Sequence, residues 1–129
     1  MEKEFVSYEI ALELKQLGFD EPCIAFYNGR FLDFKIWNDD GREASQINVN
    51  MDVGQCPNAP TFSQVFRWFR EKYVLEGVVQ QSEDFTWYKW MINQYYEDGK
   101  KYVADWYEYK TYEEAELTCL MKLIEIAKN

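Results

Sequence analysis

The sequence predicts an α+β fold: one mainly antiparallel sheet of four to six strands packed with three helices, in the order α-β-β-(β)-α-β-β-β-α. Three observations predict it. Three segments open on a capping residue and carry apolar side chains at helical spacing. Between them lie runs rich in aromatic and β-branched residues, separated by turn signals such as Asn28-Gly29 and Glu97-Asp98-Gly99. The chain of 129 residues is also of the size that builds one core without metal or disulfide staples, so 1–129 reads as a single domain.

The first helix is expected at 8–17, with Ser7 as its N-cap and Ile10, Ala11, Leu14 and Leu17 along one face. Gly18 supplies a left-handed stop, with Phe19 placed to close a Schellman cap. A hairpin follows, with strands at 23–27 and 30–37 and Asn28-Gly29 as its two-residue turn. In the return strand Leu32, Phe34 and Ile36 face the core, and Phe31, Asp33 and Lys35 face away. A short strand is expected at 46–49 and a loop at 54–60.

Thr61 and Gln64 form a capping box for the second helix, in which Phe62, Val65, Phe66, Phe69 and Tyr73 make an aromatic stripe. Arg67, Arg70, Glu71 and Lys72 occupy its other sides, and the helix ends before Gly77. Strands at 78–81, 85–94 and 101–107 come next, with Ser82-Glu83-Asp84 and Glu97-Asp98-Gly99 as turns. Thr111 and Glu114 cap the last helix, where Tyr112, Ala115, Cys119, Leu120, Leu123, Ile124 and Ala127 hold one face.

Charge and composition exclude several classes of function. The net charge is −9, and the acidic excess runs through both halves of the chain. Phosphate backbones are held by clustered Lys and Arg, so no nucleic-acid partner is expected. No apolar run approaches a membrane span, and the acidic N-terminus is no secretory signal, so no membrane partner is expected. Three cysteines, an odd number without metal-ligand spacing, suit free thiols in a reducing cytoplasm.

The chain has no histidine, which removes the commonest general base and zinc ligand and every Ser-His or Cys-His pair. No phosphate-cradling glycine loop is present, and no cofactor is expected. The acidic pairs Asp39-Asp40, Glu83-Asp84 and Glu97-Asp98 fall at turns, where neighbouring acids are ordinarily solvated. Cys56 sits in a polar loop with no cation beside it in sequence to hold a thiolate. Catalysis is therefore not expected.

Aromatic residues make up 19% of the chain, and their pattern supplies the candidate site. In a strand running from Phe85 to Tyr96, Phe85, Trp87, Met91 and Tyr95 face one side and Tyr88, Trp90, Ile92 and Tyr96 the other. The next strand sets Tyr102 and Trp106 against Val103, Tyr107 and Tyr109. A sheet with helices on one face is normally polar on the other, so one aromatic on both faces needs a second cover. That cover is the chain's own 42–59 segment or a partner. Trp87, Trp90, Tyr88, Tyr95, Trp106 and Tyr107 are the candidate contacts, with Arg67 and Arg70 as cationic neighbours.

From residue 62 onward the order helix, three strands, helix resembles that of a double-stranded-RNA-binding domain. That family carries lysines where this chain has Glu113-Glu114-Ala115-Glu116, so RNA binding does not follow. A broader resemblance rests on Phe5-Val6-Ser7-Tyr8-Glu9, Leu17-Gly18-Phe19-Asp20-Glu21-Pro22-Cys23 and Ala59-Pro60-Thr61-Phe62-Ser63-Gln64. It continues at Arg67-Trp68-Phe69-Arg70-Glu71-Lys72-Tyr73, Thr111-Tyr112-Glu113-Glu114-Ala115-Glu116 and Lys122-Leu123-Ile124. On these the chain resembles small proteins of unknown function from phages and prophages of gut Bacteroidetes. The resemblance implies expression in a bacterial cytoplasm from a mobile genome and carries over no site residues.

Two expectations follow from the residues and this resemblance together. The first is a non-catalytic module that binds a host or phage protein, a defence component for instance, or a second copy of itself. The second is a small-ligand binder, a sponge for a nucleotide signal, with a deep aromatic pocket holding Arg67, Arg70 or Arg30. An enzyme working with carboxylates predicts instead a cleft with two of them close together.

Overall fold

The computed structural model describes residues 2–34, 56–96 and 99–129, without the side chains of 2, 95, 96, 100–102, 105 and 106. The expected strand at 46–49 and the acidic pairs Asp39-Asp40 and Glu97-Asp98 lie outside the described residues. The fold is α+β with antiparallel pairing throughout, in the order α1 (Tyr8–Gln16), β1 (Ala25–Asn28), β2 (Phe31–Phe34), α2 (Phe62–Tyr73), β3 (Leu75–Gln81), β4 (Tyr88–Tyr96), β5 (Gly99–Tyr109) and α3 (Tyr112–Lys128). The described strands form two sheets, β1-β2 and β3-β4-β5, where the sequence suggested one. Alternation predicts that a strand pairs but does not say with which sheet. The chain divides into two compact units, 1–64 and 65–129.

In the first unit α1 begins where Ser7 Oγ accepts from Ile10 N–H at 3.3 Å. It ends in the expected Schellman cap: Phe19 N–H donates to Leu14 C=O at 2.9 Å and Gly18 N–H to Lys15 C=O at 3.0 Å. Ile10, Ala11 and Leu14 are buried, so the face read from spacing is the packed one. The 57–60 stretch forms no strand, as expected, but its backbone is pinned to its neighbours. Tyr27 N–H donates to Pro57 C=O, Ala59 N–H to Ala25 C=O and Val6 N–H to Pro60 C=O, all near 3 Å. Buried Tyr27 closes the unit by donating its hydroxyl proton to Val6 C=O at 2.6 Å.

The hairpin register differs from expectation by one residue. Asn28 pairs with Phe31, which leaves Gly29 and Arg30 as the loop. Gly29 has φ +63, so glycine fills the first loop position, as in a type II′ turn. Leu32 and Phe34 are half-buried and Phe31 and Asp33 exposed, as their alternation required.

At the start of α2 only half of the capping box forms. Thr61 Oγ1 accepts from Gln64 N–H at 3.2 Å, and the Gln64 side-chain Nε2–H donates away from the helix, to Pro22 C=O at 2.9 Å. The Thr61 backbone is taken up in an antiparallel bridge with Phe5.

In the second unit β3, β4 and β5 form an antiparallel meander contacted by α3. Val65, Phe66, Trp68 and Phe69 of α2 are buried, which widens the expected stripe by Trp68. Trp68 lies three residues beyond Val65, within the span that one helical face covers. Gly77 marks the closest approach to the sheet. A Cβ there would come 2.6 Å from Phe66 Cε1 and 3.0 Å from Cys119 Sγ, so neither α2 nor α3 leaves room for a side chain. Gly77 pairs with fully buried Ile92, and Leu75, Leu120, Leu123 and Ile124 complete this core. Helix α3 starts where Thr111 Oγ1 accepts from Glu114 N–H at 3.1 Å. Among the described residues no helix is long and apolar enough to cross a membrane.

Candidate functional site: the β3–β4 turn and its aromatic neighbours

The strand expected to begin at Phe85 begins at Tyr88, so residues 82–87 form one continuous turn. Its framework is a side-chain network. Ser82 N–H donates to Trp87 C=O at 2.8 Å, and Phe85 N–H donates to Ser82 C=O at 3.0 Å. The Ser82 hydroxyl donates to Asp84 Oδ1 at 2.7 Å and accepts from Thr86 N–H and Trp87 N–H at 3.1 and 3.2 Å. Thr86 Oγ1 also donates to Asp84 Oδ1, at 2.7 Å. The hydrogen bond from Ser82, and next those from Thr86, hold the Asp84 carboxyl below its ordinary pKa. Ser82 itself is only 7% exposed.

This framework displays Phe85. The ring is 75% exposed, and its backbone sits at φ +64, a left-handed conformation that a bulky side chain rarely adopts. Gln81 steadies it by donating its amide to Phe85 C=O and to the Tyr88 hydroxyl, each at 3.4 Å. Beside it an open groove of about 770 Å³ is lined by Gln80, Gln81, Ser82, Glu83, Asp84, Trp87 and Lys89.

The sequence-predicted contacts are distributed unevenly around this turn. Trp87 is half-buried and walls the groove. Tyr88 is half-buried, meets Tyr112 edge to face at 5.9 Å and pairs with Tyr109. Trp90 belongs to the core: it is 5% exposed, and its indole N–H donates to the Tyr109 hydroxyl at 3.4 Å. It faces the same side as Ile92, as alternation required, and that side is the one covered. Tyr107 is 65% exposed and lies 4.9 Å from the Tyr109 ring. The side chains of Tyr95 and Trp106 lie outside the described residues.

Arg67 and Arg70 are exposed on α2, and neither lines the Trp87 groove. Arg67 stands 4.0 Å from Glu71 on the same helix. Arg30 is tied to Glu9 at 2.6 Å and lies over the Tyr8 ring at 5.0 Å. Arg30, Arg67 and Arg70 are thus not among the residues that line the Trp87 groove.

Sequence reasoning missed Phe85, Gln81 and Ser82 as site residues. Phe85-Thr86-Trp87 reads as strand because aromatic and β-branched residues favour strands. The available signal was the Ser82-x-Asp84-x-Thr86 spacing, which lets short hydroxyl and carboxylate side chains bond backbone two to four residues away.

Burial pushes the Cys119 thiol up to about 12, so it is no nucleophile. Asp84 is stabilised as a carboxylate, the reverse of what a general acid requires. Among the described residues no three Cys, Asp or Glu side chains gather as metal ligands. No family model, curated protein or solved structure matches the chain.

Proposed function

We propose that the protein is a non-catalytic binding module that engages a partner protein through an acidic, aromatic surface. The observation that carries this reading is Phe85, a three-quarters exposed ring at the apex of a rigidly bonded turn whose neighbours are Glu83 and Asp84. Single exposed rings are ordinary on protein surfaces, Phe31 being another here, and what sets Phe85 apart is its place on an ordered turn next to two carboxylates, a setting that suits an interface hot spot. Tyr107 adds a second exposed ring in the same unit. The resemblance to small phage proteins favours a bacterial host protein as the partner.

The test is affinity capture from bacterial host lysate followed by native mass spectrometry, with Phe85→Gly as the paired control. The expected result is one stoichiometric protein that is retained by the native chain and lost with the variant. Recovery of only the free chain, or equal capture by both, would overturn the reading.

A further inference from the structure

Resting on the protein-binding reading, we infer that the β3–β4 turn takes a basic segment of the partner chain. An Arg or Lys side chain enters the groove against Trp87, between Glu83 and Asp84, while an apolar neighbour on the same segment seats on Phe85.

The groove sets the scale. Its volume of about 770 Å³ is well beyond a single side chain and admits a short stretch of extended chain, of which one basic side chain can lie against Trp87. Its lining sets the chemistry. An indole face attracts a guanidinium or ammonium group, and more strongly where water is displaced. Glu83 and Asp84 supply two carboxylates at the rim against a single cation, Lys89, which is itself engaged. Gln80 and Gln81, at the end of β3, carry amides able to pair with an extended backbone.

Phe85 adds what a purely polar groove lacks. It is exposed and follows Asp84 in the same turn, outside the groove lining itself, so a segment that runs beyond the groove with an apolar residue next to its basic one reaches both. The net charge of −9 works in the same direction at long range, drawing basic partners in and holding acidic ones off. A phosphate-bearing ligand would meet these charges with the wrong sign.

The test uses the full chain and a display library of random twelve-residue peptides. Enriched peptides should carry Arg or Lys next to an apolar residue. When they are titrated into labelled protein, amide shifts should concentrate at 80–89 and at the Trp87 indole N–H. Glu83→Lys and Phe85→Gly, both at exposed positions, should each weaken binding at least about tenfold with the melting temperature little changed. Enrichment without basic residues, shifts centred elsewhere or no enrichment would each overturn the inference. The binding-module reading has its own readout: host-protein capture that survives Glu83→Lys leaves the module standing and removes the basic segment.

Discussion

Two of the hairpins have their turns among the described residues, and these reverse the chain in opposite ways. The β1–β2 turn uses two residues and puts glycine where φ is positive. Nothing lies within 4 Å of where a Gly29 Cβ would stand, so the glycine is there for its backbone and not for space. The β3–β4 turn uses six residues and puts phenylalanine at φ +64. Its conformation is fixed by side chains, with Ser82, Asp84 and Thr86 bonding one another and the backbone between them. A turn needed only for topology takes the residue of lowest strain. Strain of this kind persists only where the surroundings enforce it, and at Phe85 the bonds among Ser82, Asp84 and Thr86 do so.

The comparison breaks most readily at Ser82. Ser82→Ala leaves Trp87 N–H without its acceptor in a buried position and deprives Asp84 of a donor, for an expected loss of about 2 kcal/mol in urea unfolding. A loss below about 0.5 kcal/mol would mean that the network is not what shapes the turn. Smaller and opposite effects are expected from exchanging the two positive-φ solutions. Gly29→Ala should cost about 1 kcal/mol through backbone strain alone. Phe85→Gly removes comparable strain and little buried area, so relief and the added freedom of the unfolded chain nearly cancel, and stability should stay within about 1 kcal/mol of native. If Phe85→Gly destabilised the protein by more than Ser82→Ala, the ring would be structural and the contrast between the hairpins would vanish.

Most of the fold could be read from the sequence because caps and periodicity act locally. Ser7, Thr61 and Thr111 each bond a backbone N–H three residues on, and the faces read for α1 and α3 are buried except at their ends, where Leu17 and Ala127 are half-buried and Tyr112 is exposed. What escaped depended on non-local partners. The Thr61 backbone pairs with Phe5 and the Gln64 amide donates to Pro22, 42 residues away. The division of strands between two sheets likewise needed tertiary contacts that no spacing encodes. Of the candidate rings, Trp87, Tyr88 and Tyr107 keep exposed surface, whereas Trp90 packs inward and the side chains of Tyr95 and Trp106 lie outside the described residues. Phe85 was hidden by its own propensity. A phenylalanine followed by threonine and tryptophan looks like a strand, and only the hydroxyl network pulls all three into the turn.

The finest distinction between the hairpins is electrostatic. Each holds a carboxyl group below its ordinary pKa: Glu9 through the hydrogen bond from Arg30, and Asp84 through those from Ser82 and Thr86. A lowered folded-state pKa means that the folded chain binds fewer protons than the unfolded one. Both groups therefore contribute stability that is present above the ordinary carboxylate pKa and is lost as pH falls below about 4 through the folded value. The donors differ in kind. Arg30 is a charge on an exposed side chain, so its hold on Glu9 should weaken between about 0.05 and 1 M salt, as screening shortens the reach of exposed charges. Ser82 and Thr86 are neutral dipoles at 2.7 Å, which salt does not screen. In carboxyl-detected NMR titrations, salt should raise the Glu9 midpoint relative to that of Asp84, and Ser82→Ala should raise the Asp84 midpoint alone. Parallel movement of the two under salt would show that Asp84 is held by the field of distant charges, and the turn that presents Phe85 would lose its claim to be built by its own hydroxyls.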